Sequence, residues 1–199
     1  MIPRQLLIGV AVMLLSVLLM GIYVWEMRSH MVAIQATAAD TRPVAPPASG
    51  PTEQVTLFVA YDDMGVLRAR TAQIPLPAGR QQRAEELLRA LIDIYLDKSA
   101  PHRLPPGAAV RNVYLVDPGL AVIDVNSAFV DGHRSGILVE ELTFTSLVQS
   151  LSANLSGINR IKILVDGRSR DTLAGHLDLA DFYDVSSVTK MAAQMQPAQ

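Results

Sequence analysis

The 199-residue sequence contains no cysteine, which excludes disulfide stapling, thiolate metal sites and lipidation at an N-terminal cysteine. It is also short of charge: Asp, Glu, Lys and Arg make up 18%, where an average soluble domain has about 25%. Aromatic residues are 5% of the chain although hydrophobic residues are 50%, so part of the apolar excess belongs outside a globular core. No GxxxxGK[ST] or GxGxxG follows a strand pattern, which leaves nucleotide binding without support. Between residues 55 and 185 thirteen Lys/Arg face sixteen Asp/Glu, a net −3. That balance gives no sign of a nucleic-acid footprint.

The apolar excess is concentrated near the N-terminus. Gln5 to Trp25 carries no charge, and Leu6 to Val24 is interrupted only by Gly9, Ser16 and Gly21. At about 1.5 Å per residue such a helix reaches roughly 30 Å, the thickness of a hydrocarbon core. A signal peptide also begins with a basic residue and an apolar stretch. This run, however, exceeds an h-region of about 7–15 residues, and the nearest small-x-small site, Ala36-Thr37-Ala38, lies far beyond Val24. Residues 1–27 are therefore expected to be a cytoplasmic tip and an uncleaved single-pass anchor. Arg4 and the terminal amine on one side, against Arg28 and His30 balanced by Glu26 on the other, place the N-terminus inside and the rest outside the cytoplasm. Residues 28–54, with Pro43, Pro46, Pro47 and Pro51, read as an extended tether. A domain is expected over 55–185 and a disordered tail over 186–199.

Within the domain, Val55–Tyr61 alternates with period two, Asp62–Gly65 gives a turn, and Val66–Ile74 continues as a partner strand. Ala84, Leu87, Leu88, Leu91 and Tyr95 then fall on one helical face, with an end near Ser99 before Pro101. Val110–Val116, the turn Asp117-Pro118-Gly119 and Leu120–Val125 predict a second hairpin. Gly136–Leu155 repeats the helical spacing through Phe144, Leu147, Val148, Leu151 and Leu155, and Ile161–Val165 is an apolar strand closed by Asp166-Gly167. The expected fold class is α+β, in the order β-β-α-β-β-α-β, with two helices packed on a largely antiparallel sheet.

With this order in view, Val55 to Asp178 resembles a GerMN domain, the module named after the GerM sporulation and germination protein and also present in LpqB-type lipoproteins. The residues that carry the resemblance are Leu57-Phe58-Val59 with the Asp63/Gly65 turn, Leu104-Pro105-Pro106-Gly107, and Val122-Ile123-Asp124-Val125-Asn126 with Phe129. Glu140 and Glu141, Ile163-Leu164-Val165-Asp166-Gly167 and Gly175-His176-Leu177-Asp178-Leu179 complete the ordered set. The resemblance implies a non-catalytic, extracytoplasmic module of the bacterial envelope, similar in fold to ring-building motifs. This sequence departs from it in having no lipidatable cysteine, and its first helix ends in Tyr95-Leu96-Asp97 rather than a Gly-Pro break.

Candidate chemistry is sparse. Adjacent helical residues point about 100° apart, so Glu140 and Glu141 cannot form a glycosidase pair and read as charges favouring a helix N-terminus. Ser150 and Ser152 lack a nucleophile elbow and read as small packing residues. His176 with Asp166, Asp171 and Asp178 has the residue types of a metal or acid/base cluster, but His102 and His133 lie in other loops and supply no second histidine at ligand spacing. Asp124, inside an apolar strand, is expected to accept N–H groups around Asn126 and Ser127. Asn154-Leu155-Ser156 matches a glycosylation sequon by chance, and Arg68, Arg70, Arg168 and Arg170 read as solvated surface. The residues singled out for interaction or structure are Asp124, Phe129, Asp166, Gly167, His176 and Asp178. No cofactor and no metal are expected. The expected partners are envelope proteins or peptidoglycan, the membrane through residues 6–24, and further copies of the chain. A cell-wall hydrolase or small-ligand binder using Asp124, His176 and Asp178 is the alternative.

Overall fold

The computed structural model of the chain describes residues 50–195; the expected anchor, most of the expected tether and residues 196–199 lie outside the described residues. Strands β1 (Thr52–Tyr61) and β2 (Val66–Pro75) pair antiparallel, from Thr52↔Pro75 to Tyr61↔Val66. Period-two alternation buries Val55, Leu57 and Val59 on one face. β1 starts at Thr52 rather than Val55, so Thr52–Gln54 are strand and not tether. Helix α1 (Arg80–Leu96) buries Ala84, Leu87, Leu88, Leu91 and Tyr95, the face its spacing predicts.

The second half contains β3 (Val110–Val116), β4 (Leu120–Val125), the short α2 (Ser127–Asp131), α3 (Ile137–Asn154), β5 (Arg160–Val165), β6 (Tyr183–Asp184) and α4 (Val185–Gln194). These strands form one sheet in the order β3-β4-β5-β6, in which β4 and β5 run parallel with Ile123 opposite Ile163. The expectation of a single, largely antiparallel sheet is corrected in two ways. The chain crosses over through α3 between β4 and β5, which makes that pair parallel, and β1-β2 remains a sheet of its own.

β1 stays apart because side chains of α3 and α1, not another strand, take up its outer edge. Phe58 N–H donates to Ser150 Oγ at 2.9 Å, and Ser146 Oγ donates to Phe58 C=O at 2.8 Å. Asn154 accepts Thr56 N–H at 3.2 Å and donates to Thr56 C=O at 2.7 Å. Ala60 N–H donates to the Tyr95 hydroxyl at 2.8 Å, which lies 2.5 Å from Ser146 Oγ. Ser146, Ser150 and Asn154 recur every four residues on one helical stripe. Ser150 is therefore more than a packing residue, and the sequon Asn154 is occupied in this contact.

The expected tail is also corrected. α4 covers Val185–Gln194, with Val185, Val188 and Ala192 buried. Met195 C=O then accepts Leu67 N–H at 2.8 Å, which ties the helix end to β2. Residues 191–199 taken alone look polar, and the apolar spacing shows only when counting begins at Val185.

Candidate functional site

Glu140, in the first turn of α3, is fully buried and not a solvated charge. Its Oε2 accepts the N–H groups of Ala174 and His176 at 3.0 Å and of Leu177 at 2.8 Å. Oε1 takes Gly136 N–H at 3.2 Å and His176 Nδ1 at 2.9 Å. Burial by itself raises the carboxyl, but these hydrogen bonds, led by Leu177 N–H, outweigh it and bring it down to about 2. His176 thus pairs with Glu140, with Ser135 Oγ 3.3 Å from the same Nδ1. Asp178 instead closes its own exposed turn, accepting Ala180 N–H at 2.6 Å.

Asp124 is buried and accepts a loop N–H as expected, but from Gly167 at 2.8 Å. The N–H groups it was expected to serve have other partners: Ser127 N–H reaches Asp166 Oδ2 at 3.1 Å, and Asn126 N–H reaches Ala109 C=O at 3.0 Å. Asn126 itself caps α2 by accepting Phe129 N–H. Asp166 and Gly167 have φ of +49° and +73°, the two-residue turn that Asp-Gly favours between antiparallel neighbours Val165 and Arg168. Arg111 Nη1 donates to Asp166 Oδ1 at 2.8 Å. Phe129 is a core residue. The six predicted residues are thus placed in separate structural contacts, and Asp124, His176 and Asp178 each have a different bonding partner.

The most organised polar cluster is one that sequence spacing does not reveal. Asp62 Oδ1 lies 2.6 Å from His102 Nδ1, and His102 Nε2 lies 2.7 Å from Thr143 Oγ1. His133 Nε2 reaches the same hydroxyl at 2.7 Å, and Arg134 donates to the other Asp62 oxygen at 2.7 Å. Asp62 is in the β1–β2 turn, His102 follows α1, His133 follows α2 and Thr143 is on α3, so only the tertiary fold brings them together. The hydrogen bond and charge of His102, with Arg134, overcome the opposing effect of burial and hold the Asp62 carboxyl below its ordinary range. Burial pushes His133 down.

The hydroxyl, imidazole and carboxylate stand in the order of a nucleophilic triad. His102 and Thr143 have 0% exposure, however, and Thr143 Oγ1 is also 3.0 Å from Val139 C=O. In this conformation no substrate carbonyl reaches the hydroxyl. A cleft of about 300 Å³ opens elsewhere, between Arg80, Gln81, Asp117, Leu120 and Gly157. None of the predicted residues lines it. Of the four arginines read as surface, Arg68 lies 5.1 Å from the centre of the Tyr61 ring, and Arg170 pairs with Asp131 at 2.7 Å.

Comparison with known proteins finds no match among curated proteins. Among solved structures, the tandem GerMN domains of the sporulation protein GerM from Bacillus subtilis align at 20% identity with a TM-score of 0.51, covering 69% of this chain and 48% of that one. The first GerMN domain of the same protein aligns at 19% identity and TM-score 0.45, covering 65% and 95%. A candidate lipoprotein from Clostridium perfringens aligns at 21% identity and TM-score 0.47, covering 74% and 96%. At these identities the likeness to the tandem domains speaks for the fold. The Germane family profile, described as sporulation and spore germination, matches residues 56–171, more than half of the sequence. The β1–β2 hairpin from Thr56 onward, α1, the β3–β4 hairpin, α3 and β5 fall inside that match, and the chain belongs to the Germane family, as a GerMN domain protein.

Proposed function

We propose that the chain presents its GerMN domain outside the cytoplasm on an N-terminal membrane anchor and acts there without catalysis, by binding envelope proteins, peptidoglycan or further copies of itself. The observation that carries this reading is the internal use of its reactive groups. The Thr143–His102–Asp62 array is sealed, and Glu140, Asp124 and His176 are spent on holding loops. Open surface is supplied instead by side chains such as Tyr114, Val116, Ile137 and Leu138. β1 offers little edge for strand addition, because α3 and α1 already occupy it.

The test is crosslinking of the full chain in living cells, with residues 1–54 alone as the control and mass spectrometry of what is captured. Self-crosslinks or envelope proteins captured only with the domain present support the reading. Capture of muropeptides together with turnover of peptidoglycan by the purified protein would replace it with a hydrolase. Loss of cellular function in a folded His176→Ala/Asp178→Ala variant would also point to that alternative.

A further inference from the structure

The cluster around Thr143 has a hydrogen count that two neutral imidazoles cannot meet. His133 Nδ1 faces the Arg134 carbonyl oxygen at 2.8 Å, and a carbonyl only accepts, so this nitrogen carries a hydrogen. His102 Nδ1 faces the Asp62 carboxylate and carries one for the same reason. Both Nε2 atoms then turn to one hydroxyl, each 2.7 Å from Thr143 Oγ1. The hydroxyl has a single hydrogen, for which Val139 C=O also competes at 3.0 Å. Two bare nitrogens would leave one lone pair facing another in a site without water access, where an unpaired acceptor is penalised.

We infer that His102 is held with hydrogens on both ring nitrogens, and that this buried proton latches the β1–β2 turn and the loop before α3 onto α3. His102 Nε2–H then donates to Thr143 Oγ1, Thr143 donates to His133 Nε2, and His133 Nδ1–H donates to Arg134 C=O. The extra proton belongs to His102 because a carboxylate faces its other nitrogen, whereas His133 has a carbonyl there and the Phe129 ring at 6.2 Å. The groups facing the pair are Asp62 from the turn, Arg134 from the loop after α2, Glu140 and Thr143 from α3, and the Tyr95 ring of α1 edge-on at 4.8 Å.

The latch lies behind an apolar tip. Met64 follows Asp62 by two residues and Ile137 follows Arg134 by three. Gly65 sits beneath Leu138, where an added Cβ would be 3.2 Å from Cδ2. Met64, Ile137 and Leu138 are about half exposed or more, at 48%, 63% and 46%. Losing the proton leaves one of the two imidazoles without a partner at Thr143 and so weakens the tie of α3 to the turn and loop behind this tip.

Nitrogen-15 spectra of the histidines, recorded on the full chain in detergent micelles at neutral pH, test the inference. Both ring nitrogens of His102 are expected to be protonated, and one nitrogen of His133 bare. Asp62→Asn and Thr143→Val are expected to strip the second proton from His102 and to raise amide exchange in Met64–Val66 and Gly132–Gly136 roughly tenfold. Thr143→Ser, which keeps the hydroxyl, should change neither. A bare nitrogen on His102 in the folded native chain overturns the inference, and that spectrum decides the matter even if a variant fails to fold. So does a variant that has lost the proton while both segments keep their native exchange.

Discussion

Glu140 and Lys162 hold the same segment of chain by its two opposite backbone polarities. The carboxylate gathers the N–H groups of Ala174, His176 and Leu177. The buried ammonium donates to the carbonyls of Leu179, at 2.6 Å, and Ala180, and to Ser169 Oγ at 3.3 Å. No helix or named strand lies between Val165 and Tyr183, so the segment lacks a ladder of its own. Beyond the Thr172–Asp178 bridge and the bonds from Leu173 N–H to Leu177 C=O and from Leu179 N–H to Asp171 C=O, its backbone is held by charges supplied from α3 and β5.

Removing either charge should therefore loosen this segment first. Glu140→Gln replaces one acceptor oxygen with an N–H₂ facing N–H donors, and Lys162→Met leaves two carbonyls without a donor. Each is expected to cost about 1–3 kcal/mol in urea unfolding. Hydrogen exchange should accelerate from Ala174 to Ala180 in both variants. A loss spread evenly over all strands would show that the two charges do not act on this segment.

The β1 edge gives a second expectation. Ser150→Ala leaves Phe58 N–H without its partner, and Asn154→Ala deprives both polar groups of Thr56. Burial of an unpaired backbone group costs about 1–3 kcal/mol. Phe58 is only half-buried and Thr56 exposed, so water replaces part of the loss at Thr56. Ser150→Ala should be the more costly of the two in thermal unfolding, and the reverse order would mean that the edge bonds add little.

These contacts mark where sequence reading stops. The α1 face and both hairpins were legible because period 3.6 and period 2 are local signals, and Asp117-Pro118-Gly119 and Asp166-Gly167 are local turn chemistry. Ser146, Ser150 and Asn154 form a stripe that looks merely polar until β1 is laid against it. Asp62, His102, His133 and Thr143 come from four separate elements, so no spacing along the chain announces their contact. α4 is hidden for a different reason: its apolar stripe of Val185, Val188, Ala192 and Met195 begins at the expected end of the domain.

Truncation after Asp184 tests that correction. It removes the buried Val188, Ala192 and Met195 and frees Leu67 N–H on β2. Burial of a Val or Met side chain is worth about 1.5–3 kcal/mol, and a whole domain has only about 5–15 kcal/mol. The truncated chain should be strongly destabilised or unfolded by circular dichroism, whereas a chain ending at Met195 should match the native one.

Two glycines with positive φ separate strain from collision. Gly167 has φ +73° and open space where a Cβ would stand, so Gly167→Ala meets only the left-handed backbone penalty, about 1–2 kcal/mol. Gly119 has φ +86°, and a Cβ there would lie 2.6 Å from Gly157 O. Asn159 N–H also donates to Gly119 C=O at 2.7 Å, so the two loops cannot simply part. Gly119→Ala should cost at least about twice as much as Gly167→Ala in urea unfolding. Equal costs would mean that the two loops yield.

Acid should weaken the fold in two stages. Burial lowers His133 from its ordinary 6.5 in the folded chain, so the unfolded chain binds that proton more readily. Its contribution is complete above 6.5 and is lost as the pH falls below it. Glu140 is about 2 in the fold against 4.5 in a model peptide, so its contribution is complete above 4.5 and drains away towards pH 2. Asp62, also held below the ordinary 3.8, adds to this second stage. Unfolding free energy measured against pH should therefore fall first below 6.5 and again below 4.5. His133→Gln should remove the first decline and Glu140→Gln most of the second. A first decline that persists in His133→Gln would place the titrating group elsewhere.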